Sequence, residues 1–182
     1  MEKYGKPIIT LFIITAVAGF ILALAYNLTK DAAEEQKNLA TSKAMQSVLI
    51  GAVDFKSVET GDENIPIITT AFDDSGNVIG YIAETLVSGY SGTIDILVGF
   101  DLDFIVTGID ILSHSETPGL GANSTEPEFE TQYAGSKGLF SVVKTGSQTA
   151  EEIDAITGAT ITSNAVTQGV NNAIEFVLEY EF

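Results

Sequence analysis

The chain of 182 residues is about one domain's worth plus an appendage, on the usual scale of roughly 100–200 residues per domain. Acids outnumber bases 25 to 8 for a net charge of -17, every base is a lysine, and the imbalance is local: residues 1–56 hold six Lys and five acids, residues 57–182 two Lys and twenty. Such a domain repels phosphates, which excludes nucleic-acid binding. The absence of cysteine excludes disulfides, thiolate metal sites, iron–sulfur clusters and thiol nucleophiles, and a single histidine, His114, excludes a site needing two imidazoles from one chain.

In chain order, Ile8 to Leu28 runs 21 residues without a charge. As a helix it would span about 31 Å, the thickness of a bilayer core. Ala23-Leu24-Ala25 could serve as a signal-peptidase site. The apolar run, however, exceeds the h-region of about 7–15 residues, so an uncleaved signal anchor is expected. Lys3, Lys6 and the α-amine precede it, whereas Lys30 is followed at once by Asp31, Glu34 and Glu35. This predicts a single-pass membrane protein in contact with lipid, its N-terminus cytoplasmic and its main domain extracytoplasmic. The expected division is 1–28 cytoplasmic N-terminus and anchor, 29–56 helical linker, and 57–182 the exposed domain.

Residues 29–50 predict a helix continuing toward the domain, ended by Gly51. Pro66–Phe72 and Val78–Leu86 flank the turn formers Asp73-Asp74-Ser75-Gly76-Asn77 and predict a hairpin; Thr93–Phe100 and Ile105–Leu112 flank Asp101-Leu102-Asp103 and predict a second. Val106 breaks strict alternation in the last strand. One antiparallel sheet with a covered face is expected. Val166, Val170, Ala173, Ile174, Val177 and Leu178 form the stripe of a C-terminal amphipathic helix, with Thr162 or Ser163 as its N-cap. The fold class is therefore α+β: a transmembrane helix, then one antiparallel-sheet domain closed by a C-terminal helix.

Three glycine-rich segments exceed what connections require: Gly89-Tyr90-Ser91-Gly92, His114 to Gly121, and Asp154 to Ser163. In the last, Gly158-Ala159 lets backbone approach a bulky group, and the first-turn amides of the following helix form an anion site. A phosphate near Thr160 would sit there without a cation; an ordinary Ser/Thr-rich helix start reads equally well from the same residues.

Thr157-Gly158-Ala159-Thr160, with Asp154 before it and Thr162-Ser163 after it, resembles the flavinylation motif of the FMN-binding domain family. Nearly the whole chain resembles the G subunits of the Rnf electron-transport complex and is similar to the C subunits of the sodium-translocating NADH:quinone reductase. The resemblance implies FMN phosphoester-linked to Thr160, placed there by a separate flavin transferase from FAD with magnesium. Asp154 would be the acidic residue of the recognition motif, and Thr157, Gly158 and Ala159 would shape the loop. Gly89, Tyr90 and Gly92, with Glu116, Thr117, Gly119, Leu120 and Gly121, would surround the isoalloxazine ring. Ser91 replaces a glycine common in the family, and no tryptophan follows the second loop, so ring stacking would fall to Phe129, Tyr133 or Tyr90. The implied function is electron relay beside other subunits of a membrane ion-translocating ferredoxin:NAD oxidoreductase. The alternatives are membership of a quinone reductase, a free-standing surface flavoprotein, or a non-redox anchored binding module.

Read residue by residue, His114 is expected to be a hydrogen-bonded loop residue, Asp101 and Asp103 turn residues, and Glu126, Glu128 and Glu130 a solvated face and no metal site. Glu116 would either receive polar groups of the flavin or cap its own loop.

Overall fold

The structure, a computed structural model, describes residues 2–180, with residues 2–7 and 31–34 described by backbone alone. The chain divides into two compact units, Met1–Ala40 and Thr41–Phe182. The α-amine of Met1 and the flanking charges at Lys3, Lys6, Asp31 and Glu34 lie outside the described side chains. Helix α1 spans Glu2–Val48. Among the described residues it is the one helix long and apolar enough to cross a membrane, and its large side chains are exposed throughout the apolar run. Polar residues there satisfy themselves within the helix. Thr15 Oγ1 donates to the Leu11 carbonyl (3.0 Å), Asn27 Nδ2 to Ala23 (2.9 Å) and Thr29 Oγ1 to Ala25 (2.9 Å), as a hydrocarbon surrounding demands.

In the second unit, β1 (Asp54–Glu59), β2 (Ile67–Phe72), β3 (Val78–Ser88), β4 (Thr93–Phe100) and β5 (Val106–Ser113) form an antiparallel sheet in sequence order. Both turns follow the expected chemistry. Asp73 Oδ1 accepts the amides of Ser75 (2.8 Å) and Asn77 (2.9 Å), and Asp101 Oδ1 those of Asp103 and Ile105 (both 2.9 Å). The Asn77 side-chain amide, then the backbone amides, hold the Asp73 carboxyl below its ordinary range. Val106 breaks alternation because Gly99 pairs with Gly108 but Phe100 with Val106, leaving Thr107 as a bulge residue.

Helix α3 (Thr160–Glu179) covers one face of the sheet. Val166, Val170, Ala173, Ile174 and Val177 pack on Ile94, Ile96 and Val98, each such apolar side chain worth about 1.5–3 kcal/mol when fully buried. Leu178, the last member of the expected stripe, is instead exposed. Gly169 lets the helix sit close, since a Cβ there would lie 3.0 Å from Ile96 Cδ1. The expected covered face is matched by a second. Ala44, Met45 and Val48 of α1, with Leu49 and Ala52, pack on Ala71, Ile82 and Leu97 of the opposite face. That contact rests on glycines: a Cβ at Gly99 would lie 2.5 Å from the Val48 carbonyl oxygen, and at Gly80 within 2.9 Å of Leu49 Cδ2. The Thr107 hydroxyl of the bulge donates to the same Val48 carbonyl, satisfying a group left orphaned at the helix end. The expected 56/57 division falls inside β1, and the chain from Thr41 onward belongs to the second unit.

After β5 comes an excursion through a 3₁₀ turn (Gly121–Thr125), the short helix α2 (Pro127–Glu130), a second 3₁₀ turn (Thr131–Tyr133) and two three-residue strands, β6 (Ser141–Val143) and β7 (Glu152–Asp154), paired in parallel. Tyr133, wholly buried, packs edge-on against Phe129 and Phe140 (centroids 5.6 and 5.2 Å) and shares a 2.8 Å hydrogen bond with Thr167 of α3. Asn171 of α3 holds the Phe140 backbone with both amide atoms (2.8 and 2.9 Å).

The excursion also covers the outer edge of β5. Val106 N donates to Ser136 O (2.9 Å), Gly135 N to Val106 O (2.8 Å) and Ile111 N to Glu130 Oε1 (3.3 Å). Glu130 thus departs from the expected solvated face. Burial, and then the nearby Asp110 carboxylate, push its carboxyl from the ordinary 4.5 up to about 7. Between those values the folded chain keeps a proton that the unfolded chain has lost. The contribution is therefore fully present below pH 4.5 and disappears as pH rises through 7. Glu130→Gln, which keeps the acceptor oxygen for Ile111 without the charge, should raise the melting temperature at pH 8 by a few degrees and leave it nearly unchanged near pH 4. Melts of both proteins across that range, compared as differences, check this.

Candidate functional site

The three glycine-rich segments converge on one open cleft of about 410 Å³, within the range typical of small-molecule sites. Tyr90 comes from the β3–β4 loop, Glu116, Thr117, Leu120 and Gly121 from the segment after β5, and Gly158, Ala159, Thr160 and Thr162 from the start of α3. These nine are all sequence-predicted. Ile161, which was not predicted, completes the wall, exposed on the side of α3 opposite the core stripe. An apolar residue off the helix's buried face was its signal in the sequence.

Other predicted residues build the cleft from behind. Gly89 N donates to Gly92 O (2.8 Å), closing the loop that carries Tyr90. Gly119, at φ +75°, makes the turn before Leu120. Gly158 adopts φ +78°, a conformation that favours glycine, and a Cβ there would press 3.0 Å from Leu120 Cδ2. Asp154 and Thr157 lie elsewhere, in a neighbouring cleft of about 280 Å³ shared with Phe129 and Gln132. The Asp154 carboxylate accepts the Ser147 amide (3.0 Å), and Gln132 Oε1 accepts the Asp154 amide (2.7 Å), so this residue fixes the approach to the Thr157–Thr160 loop.

Helix α3 begins at Thr160, with Ala159 in the N-cap position and no side-chain cap. The expected caps, Thr162 and Ser163, sit inside the first turn because their hydroxyls serve other loops. Ser163 Oγ accepts the Ile156 amide (3.0 Å) and donates to the Ala159 carbonyl (3.1 Å), while Thr162 Oγ1 donates to Glu116 Oε2 (2.5 Å). The start of α3 therefore presents backbone donors at the cleft wall, with Thr160 exposed beside them. No lysine lines the cleft among the described residues.

Of the three ring-stacking candidates, Tyr133 is wholly buried and Phe129 is 4 % exposed, both held in the core by the aromatic packing described above. Tyr90, 68 % exposed, is the one on the cleft. His114 Nδ1 accepts the Glu116 amide (3.1 Å), in keeping with its reading as a loop residue.

Residues 89–175, which span all three loops and most of α3, match the FMN-binding domain family. The chain belongs to the family of G subunits of ion-translocating oxidoreductase complexes. It is 39% identical to the G subunit of the ion-translocating oxidoreductase complex from Methanosarcina acetivorans, over 99% of this chain and 97% of that protein. It is also 39% identical to the G subunit of the Na(+)-translocating ferredoxin:NAD(+) oxidoreductase complex of Acetobacterium woodii, over 91% of this chain and 87% of that protein. The fold is that of the C subunit of the Na(+)-translocating NADH-quinone reductase from Parabacteroides distasonis, with a TM-score of 0.59 at 24% identity over 81% of this chain and 96% of that one. With α1, family membership places the chain at a membrane.

The cleft fits FMN on chemistry as well as family. An uncapped helix start suits a phosphate where no lysine is at hand, and the apolar surfaces of Tyr90, Leu120 and Ile161 suit a flat ring.

Proposed function

We propose that this chain carries FMN in phosphoester linkage to Thr160 and relays electrons as one subunit of a membrane ion-translocating ferredoxin:NAD oxidoreductase. The observation that carries the reading is an exposed Thr160 at the uncapped start of α3, inside a cleft built by all three glycine-rich loops. FMN, when bound, supplies one- and two-electron redox chemistry. The chain's own residues provide position and surroundings. Amides of the first turn of α3 would hold the phosphate, Gly158 would let backbone come close to it, and Tyr90, Leu120 and Ile161 would offer the ring apolar surface.

Loading is the work of a flavin transferase using FAD and magnesium. The Thr160 oxygen bonds to the phosphorus on the FMN side of the diphosphate, the phosphorus–oxygen bond to AMP breaks, and AMP and the hydroxyl proton leave. Asp154, tied to Ser147, serves that recognition by holding the loop's approach in shape. The domain stands on the extracytoplasmic side of the membrane, with α1 in contact with lipid. A covalent tether suits it, because the acidic domain repels a free phosphorylated cofactor. Full-length similarity to named G subunits supports a place in such a complex over a free-standing shuttle.

The test is the intact mass of chain purified from a host that makes the transferase. An adduct of about 438 Da, FMN less water, on the peptide containing residues 157–160 is expected. Protein that stays at its unmodified mass in such a host would overturn the covalent reading. Co-purification with polytopic subunits from native membranes is expected, and a reproducibly solitary flavoprotein would count against the relay.

A further inference from the structure

Glu116 lies in the cleft wall yet is 5 % exposed, and both its carboxylate oxygens are engaged by other loops. Oε1 accepts the Ser91 amide (2.8 Å), 25 residues away in the chain, and Oε2 accepts the Thr162 hydroxyl (2.5 Å), 46 residues away. Two glycines make room for it. A Cβ at Gly89 would lie 2.5 Å from Oε1, and a Cβ at Gly121 would lie 2.5 Å from Oε2. A carboxylate taken this far out of water is tolerated only where donors replace the water, and charge-assisted bonds are roughly twice as strong as neutral ones. The slot, the two donors and the two glycines describe a group that ties loops together.

We propose that Glu116 is the positioning residue of this cleft, a latch that joins the Gly89–Gly92 loop to the first turn of α3 and so fixes how Thr160 is presented. It holds the walls and does not itself bind the cofactor; the inference rests on the reading of Thr160 as the attachment residue only for its loading arm. Glutamine can keep both contacts, its carbonyl oxygen accepting the Ser91 amide and its NH₂ donating to the Thr162 oxygen. Alanine keeps neither. Gly121→Ala, by evicting the carboxylate, should act as alanine at 116 does.

The experiment uses the full-length chain in detergent, as wild type, Glu116→Gln, Glu116→Ala, Gly121→Ala and Thr160→Ala, each made with and without the transferase. Hydrogen exchange on the unflavinylated proteins reads the latch directly. Ser91 should exchange about tenfold faster in Glu116→Ala and Gly121→Ala and within about twofold of wild type in Glu116→Gln. In the transferase host the fraction of chains with adduct should fall severalfold in Glu116→Ala and be rescued by Glu116→Gln, with the flavin midpoint potential of Glu116→Gln unchanged. Unaltered Ser91 exchange in Glu116→Ala would overturn the latch, and so would a Glu116→Gln protein that exchanges like Glu116→Ala or that loads normally with a displaced potential, the mark of direct contact with the ring. An adduct that persists in Thr160→Ala would overturn the attachment site instead, while the exchange measurement still decides the latch.

Discussion

Thr160→Ala protein, made beside the flavin transferase, should carry no covalent flavin at all. Among the variants considered this is the largest functional effect, because the substitution removes the attacking oxygen and little else. Thr160 is exposed and opens α3, so trimming its side chain to alanine should leave the domain folded. Thr160→Ser keeps a hydroxyl at the same place and should retain adduct, at a lower rate because serine's side chain is less restricted. Thr157→Ala should retain it fully, since Thr157 lines the neighbouring cleft. Intact mass after acid denaturation, which strips non-covalent FMN, reads all three. Adduct in Thr160→Ala that maps to Thr157 would transfer the attachment to the first threonine of the motif.

Gly99→Val should damage the fold severely. Its Cβ would meet the Val48 carbonyl oxygen at 2.5 Å, the Thr107 hydroxyl at 2.7 Å and the Val48 carbonyl carbon at 3.0 Å. Two of these are backbone atoms at the end of a helix and cannot rotate away. The Val48–Ala52 segment would have to lift from the sheet, exposing Val48, Leu49, Ile82 and Leu97 and breaking the Thr107 bond to Val48. A loss of roughly 3 kcal/mol or more is expected, on the order of 10 °C in the melting temperature of the Thr41–Phe182 unit. Gly108→Ala is the control across the register from Gly99. Its Cβ would reach Val48 Cα at 3.6 Å, an ordinary contact, and should cost little.

The hairpins and α3 were legible because their signals are local. Turn residues at 73–77 and 101–103 capture their own amides, and the α3 stripe repeats at helical spacing over five buried positions. Strand β1 was not legible. It lies at the sheet edge, almost every residue is exposed, and no alternation marks it. Strands β6 and β7 are three residues each, too short for any period to register. The second core, where α1 meets the glycines of the sheet, depends on contacts between residues about thirty to sixty positions apart, which pattern reading does not see. The same holds at the cleft. Its loops announce themselves by glycine content, but Glu116 is joined to them by bonds spanning 25 and 46 residues, which no sequence pattern marks. Asp154 and Thr157 belong to the motif by sequence but to another cleft in space.

The walls of the cleft are scattered along the chain, Tyr90 in the first loop and Thr162 in α3, and they meet only once α3 has docked across β3 and β4. A ribosome-bound chain that has emerged as far as residue 150 carries two of the three glycine-rich loops but no cleft. On the attachment proposed at Thr160, a covalent flavin would thus be a certificate of completed folding, the mark of a chain whose last helix has found its place.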